Sequence, residues 1–391
     1  MYTEHLETVI IGAGQAGLST GYHLTRQGRQ FVILDAHRRV GDNWRRHWES
    51  MRLYSPARYD GLPGMPFPAS AWSYPTKDDV ADFLEEYANR FELPVRSGVQ
   101  VKRIAKDNGR YVVEANGTTV TADNVVVASG TFGKPYTPAF ARDLDPAITQ
   151  LHSSQYKEVS QLQAGPVLVV GASHSGGDIA FEAANAGHAT MLSGRDTGQV
   201  PFRLDSPQAR MVFPVLWFVW SHVMTMGTPI GRKMREEVRT HGGPLLRVKR
   251  EDLAAAGVER ILERVTGVQN AQPVVDGGRE LNVANVVWCT GFRQDFSWIE
   301  LPIVGEDGWP MEERGVIKAA PGLYFTGLAF QRGFTSMLIG GAGRDAEHIA
   351  KHIVSRARLR EDQRRAQESP MSLVDDKELR AGEANPVHPA Q

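Results

Sequence analysis

Cysteine is almost absent from this chain of 391 residues, and Cys289 stands alone. No internal disulfide can form, and no CxxC pair exists to act as a redox dithiol or to seed a zinc site. A lone thiol fits a reducing compartment, so a cytoplasmic protein is expected. An excess of either charge is also missing, with 44 Lys and Arg against 45 Asp and Glu. Without a basic block to track a phosphate backbone, nucleic acid is excluded as a partner. No apolar run reaches the roughly 20 residues of a spanning helix. The opening "MYTEHLETVIIGAG" lacks the basic n-region of a signal peptide. No metal site is expected. The length allows two or three domains, each with its own core.

Glycine is abundant, and its placement is the first informative feature. In "ETVIIGAGQAGLSTGYHLTRQGRQFVILDAH" an apolar strand, Val9 to Ile11, runs into Gly12, Gly14 and Gly17 at GxGxxG spacing. An amphipathic helix follows, then a second strand, "FVILD". Each glycine has a physical reason: Gly12 for the turn, Gly14 for close approach of the backbone to a pyrophosphate, Gly17 for packing of helix on strand. The helix N-terminus offers free N–H groups to a phosphate. Asp35, about twenty residues on, stands where a carboxylate accepts from a ribose diol.

The same architecture recurs in "GPVLVVGASHSGGDIAFEAANAGHATMLSGR". A strand, Val167 to Val170, leads into Gly171, Ser173, Ser175 and Gly176, then a helix from about Ser175 to Ala186 and a strand from Ala189 to Leu192. Ser173 replaces the middle glycine, and its hydroxyl is expected to donate to a phosphate. Where an NAD site carries an acid, "LSGR" supplies Ser193 and Arg195, so a 2′-phosphate would be paired rather than repelled. Two cradles imply two nucleotides held at once, the second being NADPH.

The segments between and after the cradles resemble a known family. "GDNWRRHWESMRLYSPARYDGLPGMPFP", with Gly41, Trp44 and Ser55, is similar to the stretch beneath the flavin in class B flavin-containing monooxygenases, most closely the short bacterial members that join FAD and NADPH sites in one chain. "LHSSQYK" matches the second half of the FxGxxxHxxxY signature of N-oxygenating members through His152 and Tyr156. Its first half is absent, since Pro146 and Ile148 replace Phe and Gly. On its own, this spacing reads as a linker in which His152 satisfies a backbone carbonyl. "NVVVASGTFGKPYTP", with Ser129, and "NVVWCTGFRQDFSW", with Thr290 and Gly291, resemble the strands where the chain crosses between domains. "PGLYFTGLAFQRGFTSMLIGGAGRDAEHIAKHI" resembles the C-terminal FAD segment.

The resemblance implies an α/β fold of two Rossmann-like dinucleotide-binding domains, the NADPH domain inserted in the FAD domain. The expected layout is an FAD part at 1–155, an NADPH domain at 156–288 carrying an apolar insertion at 210–233, a second FAD part at 289–365 and a disordered tail at 366–391. It further implies transfer of hydride from NADPH to FAD, capture of O2 as a flavin C4a-hydroperoxide, and oxygenation of N or S in a small lipophilic substrate, with Ser55 facing the flavin. Baeyer–Villiger oxygenation, an NAD(P)H-dependent reductase or oxidase, and a non-catalytic redox sensor remain as alternatives. The insertion "RMVFPVLWFVWSHVMTMGTPIGRK" leaves three readings open: a substrate lid, a packing surface of the core or of a homodimer, or peripheral contact with a membrane through 211–227.

Overall fold

The computed structural model describes residues 3–368. Two parallel sheets organise it. The first has the order Val95–Ser97, Phe31–Asp35, Thr3–Ile11, Thr118–Val127, with Leu323–Phe325 also pairing parallel to Thr118–Val127. Its edge continues through an antiparallel meander, Val101–Asp107 and Arg110–Ala115, that was not among the expected elements. A strand from residue 323 in a sheet begun at residue 3 makes the domain discontinuous.

The second sheet is five-stranded and all parallel, in the order Glu259–Ile261, Thr190–Ser193, Val167–Val170, Asn285–Trp288, Thr149–His152. Its central strands Val167–Val170 and Asn285–Trp288 are buried at every position, as parallel strands covered on both faces must be. The sheet already includes Thr149–His152, a few residues ahead of 156. Helix Gln15–Arg26 follows the first strand of the first sheet, and helix His174–Asn185 follows Val167–Val170. The C-terminal helix Ala342–Glu368 packs along Gln15–Arg26. Its last turn takes in 366–368, the start of the expected tail, and the rest of that tail lies outside the described residues.

The insertion forms helix Pro207–Phe218, a wider turn Val219–Val223 and helix Pro229–Thr240. These do not stay with the second sheet. Thr225 bridges to Gly333, and the Phe334 amide donates to the Met224 carbonyl at 2.9 Å. Arg235 and Arg239 converge on the buried Glu312, and Arg239 lies over the Trp309 ring at 4.1 Å. The insertion therefore straps the second domain to the first.

Candidate functional site

The two cradles have the same geometry. Gly12 has φ +106° and Gly171 has φ +108°, a region that favours glycine. Each amide donates at 2.8 Å to the end of the neighbouring strand, Gly12 to the Leu34 carbonyl and Gly171 to that of Ser193. A Cβ at Gly12 would press on the carbonyl of Ala128, and one at Gly171 would overlap that of Cys289. Likewise, a Cβ at Gly17 or Gly176 would overlap the carbonyl of Gly12 or Gly171. These four glycines are demanded by the fold itself.

Gly14 differs. A Cβ there would meet only the Asn43 amide nitrogen, at 3.9 Å, so the space above it is open. Gly14 and Ser173 are the N-cap residues of their helices, and neither helix has a side-chain cap. The helices beginning at Lys77, Pro207 and Pro229 are capped by the side chains of Thr76, Ser206 and Thr228. Helix N-terminal N–H groups need partners, and the cradles leave theirs for an external anion. The first turn, open above Gly14, thus fits a dinucleotide pyrophosphate; the second shares its uncapped helix start, with the backbone of Gly242 and Gly243 packed beside it.

Several expected contacts are engaged within the protein. The Ser173 hydroxyl donates to the Gly243 carbonyl at 2.8 Å. Ser193 is fully buried, and its hydroxyl donates to the Glu263 carbonyl at 2.7 Å. Ser175 sits in the first turn of its helix, half-buried. Arg195 is exposed and has no ion-pair partner among the described residues, while the neighbouring Asp196 pairs with Arg250 at 2.6 Å. Asp35 accepts from the Ala13 amide at 2.6 Å and from His37, and these bonds hold its carboxyl below the usual range even though burial opposes them.

Gly41, with φ +87°, packs against the backbone of Ala81, and Trp44 bridges the cores of the two domains. Ser129 and Gly291 each lie just beyond a strand whose end meets a cradle, at Ala128 and Cys289 respectively. The Thr290 hydroxyl donates to the Tyr136 carbonyl. His152 is buried, with Nε2 3.0 Å from the Gly291 carbonyl and Nδ1 accepting from the Ser154 amide. It meets a backbone carbonyl as its spacing alone suggested, but it ends a strand of the second sheet rather than lying in a linker.

Ser55 donates to Asp60 Oδ1 at 2.6 Å. Asp60 itself was missed. It is buried, Oδ2 has no hydrogen-bond partner, and desolvation pushes its pKa up to about 7. Its neighbours Tyr59 and Gly61 line a cavity of about 480 Å³ shared with Leu62, Met65, Trp217 and Gly340. The signal in the sequence was a single acid inside a loop rich in Pro and Gly.

Also missed was the clamp between domains. His174, Asp178 and Glu182 recur every four residues and so share one face of the second cradle helix. Asp178 accepts from the Tyr54 hydroxyl and from Arg247, each at 2.9 Å, and Ser50 donates to Glu182 at 2.9 Å. His174 lies against the Tyr54 ring, and burial lowers its pKa to about 4, so it is neutral at pH 7. The aromatic segment of the first domain is thereby fixed to the helix of the second cradle.

Residues 9–210 match the family described as pyridine nucleotide-disulphide oxidoreductase. The chain belongs to that family. It is 35% identical to an uncharacterized CzcO-like oxidoreductase of Geobacillus kaustophilus, over 90% of this chain and 99% of the relative. A probable indole-3-pyruvate monooxygenase of Arabidopsis thaliana, YUCCA9, is 26% identical over 88% of each chain. Among solved structures, a flavin-containing monooxygenase from Stenotrophomonas maltophilia aligns with TM-score 0.73 and 27% identity, covering 91% of this chain and all of that one. Within the family, the chain is an oxidoreductase of the flavin-monooxygenase type, as its motifs implied.

Proposed function

We propose that this protein is an NADPH-dependent FAD monooxygenase that oxygenates nitrogen or sulfur in small lipophilic compounds. The observation that carries the reading is the pair of matching, uncapped cradles, one per sheet, held together by the Tyr54–Asp178–Arg247 clamp. FAD belongs to the first cradle, where Gly14 leaves room for its pyrophosphate and Asp35 stiffens the turn from behind. NADPH belongs to the second. Arg250 neutralises Asp196, and Arg195 is left as the unpaired cation for a 2′-phosphate.

Held at the first cradle around Gly14 and Asp35, flavin would supply the redox chemistry between nicotinamide and dioxygen. The chain's own task is to position and to keep dry. The Tyr59 ring packs on those of Phe213 and Trp217, each with centroids 5.0 Å from it, and Tyr59 and Trp217 line one side of the cavity. With a pKa near 7, Asp60 holds or releases a proton at neutral pH. A thiol-based disulfide reductase is disfavoured, because desolvation drives the Cys289 thiol well above its usual range and leaves no thiolate to attack.

The test is a product screen. Purified protein with FAD and NADPH is offered tertiary amines, thioethers and ketones under air. An N-oxide or S-oxide is expected; an ester from a ketone would move the enzyme to Baeyer–Villiger chemistry, and NADPH oxidation with peroxide alone would reject the oxygenase reading.

A further inference from the structure

The cavity near Asp60 has a single charged side chain in its wall. Tyr59 and Trp217 make its aromatic side, Leu62, Met65 and Pro66 are apolar, and apart from Arg58 the rest of the lining is glycine. Its volume of about 480 Å³ suits a small organic molecule, and a mostly apolar wall with one placed polar group is how such sites fix the orientation of a ligand. Arg58 is exposed, and its guanidinium has neither a hydrogen bond nor an ion pair among the described residues. It is held in place all the same. Its central carbon lies 5.0 Å from the centre of the Trp72 ring and 5.3 Å from that of Tyr59, those two rings meet edge-on, and the Arg58 amide donates to the Ala71 carbonyl at 3.1 Å. Stacking takes up the faces of a guanidinium and leaves the N–H groups along its edge to donate.

Charge and shape select the ligand. Asp60, the acid nearest in sequence, does not answer Arg58: it takes the Ser55 hydroxyl instead, and burial raises its carboxyl with no opposing share from Arg58. A cationic ligand would meet the guanidinium with like sign, and a neutral one would cover it without using its donors, at the cost of the bonds they make to water. A dianion such as a phosphate monoester would find one cation and no second charged side chain in the wall. A carboxylate is a monoanion whose two oxygens match the fork of one guanidinium.

We propose that this cavity takes a monocarboxylate with an aromatic or apolar body, the body lying against Tyr59 and Trp217 and the carboxylate on Arg58. Arg58 is then the residue that selects acids over the matching esters and amines. As the class of substrate, the carboxylate rests on the proposed function; as a bound ligand, it does not.

Equilibrium dialysis separates the two. FAD-loaded full-length protein, without NADPH, is offered probes of one shape: 4-(methylthio)benzoate, its methyl ester and 4-(methylthio)benzylamine, which are anionic, neutral and cationic at pH 7. The acid should bind about tenfold or more tightly than the ester or the amine. Arg58→Gln should weaken the acid about ten- to a hundredfold and leave the ester within about twofold, whereas Trp217→Leu should weaken both. FAD content equal to wild type shows that each variant is folded. Equal binding of acid and ester, equal loss of both in Arg58→Gln, or acid binding untouched in Trp217→Leu would overturn the proposal. An acid that binds through Arg58 but yields no sulfoxide with NADPH and air would leave the carboxylate site in place and count against the oxygenase reading instead.

Discussion

Replacing Gly14 by alanine separates nucleotide binding from folding, because the fold does not need a glycine there. Gly14 has φ −80° and ψ −177°, which alanine adopts without strain, and the added Cβ meets nothing nearer than Asn43 at 3.9 Å. Alanine is a poorer N-cap than glycine, but it lowers the entropy of the unfolded chain by an amount worth about 0.4–1 kcal/mol. The net change in stability is therefore within about 1 kcal/mol of zero. The methyl group instead occupies the approach of the pyrophosphate to the helix N-terminus. Loss of one charge-assisted hydrogen bond costs about 1.5–3 kcal/mol, or roughly ten- to a hundredfold in FAD affinity. Gly17→Ala is the contrasting variant: its Cβ would overlap the Gly12 carbonyl, and overpacking of this kind costs about 1–3 kcal/mol or more. Thermal melts of the apoprotein and titration of FAD by fluorescence quenching read both quantities. Gly14→Ala should melt near wild type and bind FAD weakly, whereas Gly17→Ala should lose both. Wild-type FAD affinity in Gly14→Ala would refute the assignment of the first cradle.

Arg195→Ala should raise KM for NADPH by about ten- to a hundredfold and leave NADH nearly unchanged; equal loss with both coenzymes in steady-state assays would make Arg195 structural. Asp60 has a folded pKa near 7 against an ordinary value of 3.8. The native state therefore keeps a proton that the unfolded chain releases, and this group's contribution to stability falls as pH rises from about 4 to about 7. Relative to wild type, Asp60→Asn should gain stability across that window, by up to about 4 kcal/mol in urea melts. A constant difference between the two proteins over that range would show that Asp60 ionises normally.

Local spacing carried much of this structure. The GxGxxG pattern and its GxSxxG variant located both turns, since a strand, a tight turn and a helix are contiguous in sequence. The reason glycine is compulsory at Gly12 and Gly171 was not contiguous: the obstructing carbonyls belong to Ala128 and Cys289, each more than a hundred residues downstream. Long-range partners also decided which hydroxyls remained free. Ser173 and Ser193 were read as phosphate contacts from position alone, yet each donates to a carbonyl 70 residues away. Asp60 could not be recognised without knowing its burial, which depends on the loop around it closing under the insertion. The insertion's aromatics read as apolar without direction. Only their packing on Tyr59 and Phe334 shows which side is wall and which is exposed.

A monooxygenase must deliver oxygen to a substrate rather than lose it as peroxide, and one measurement addresses this directly. Enzyme, FAD and NADPH are incubated under 18O2 with a thioether or tertiary amine that gives product, while NADPH consumption and H2O2 are counted and the product is weighed by mass spectrometry. One 18O atom in the oxide for each NADPH consumed is expected, with little peroxide. Unlabelled product, or peroxide equal to NADPH whatever substrate is present, would contradict it.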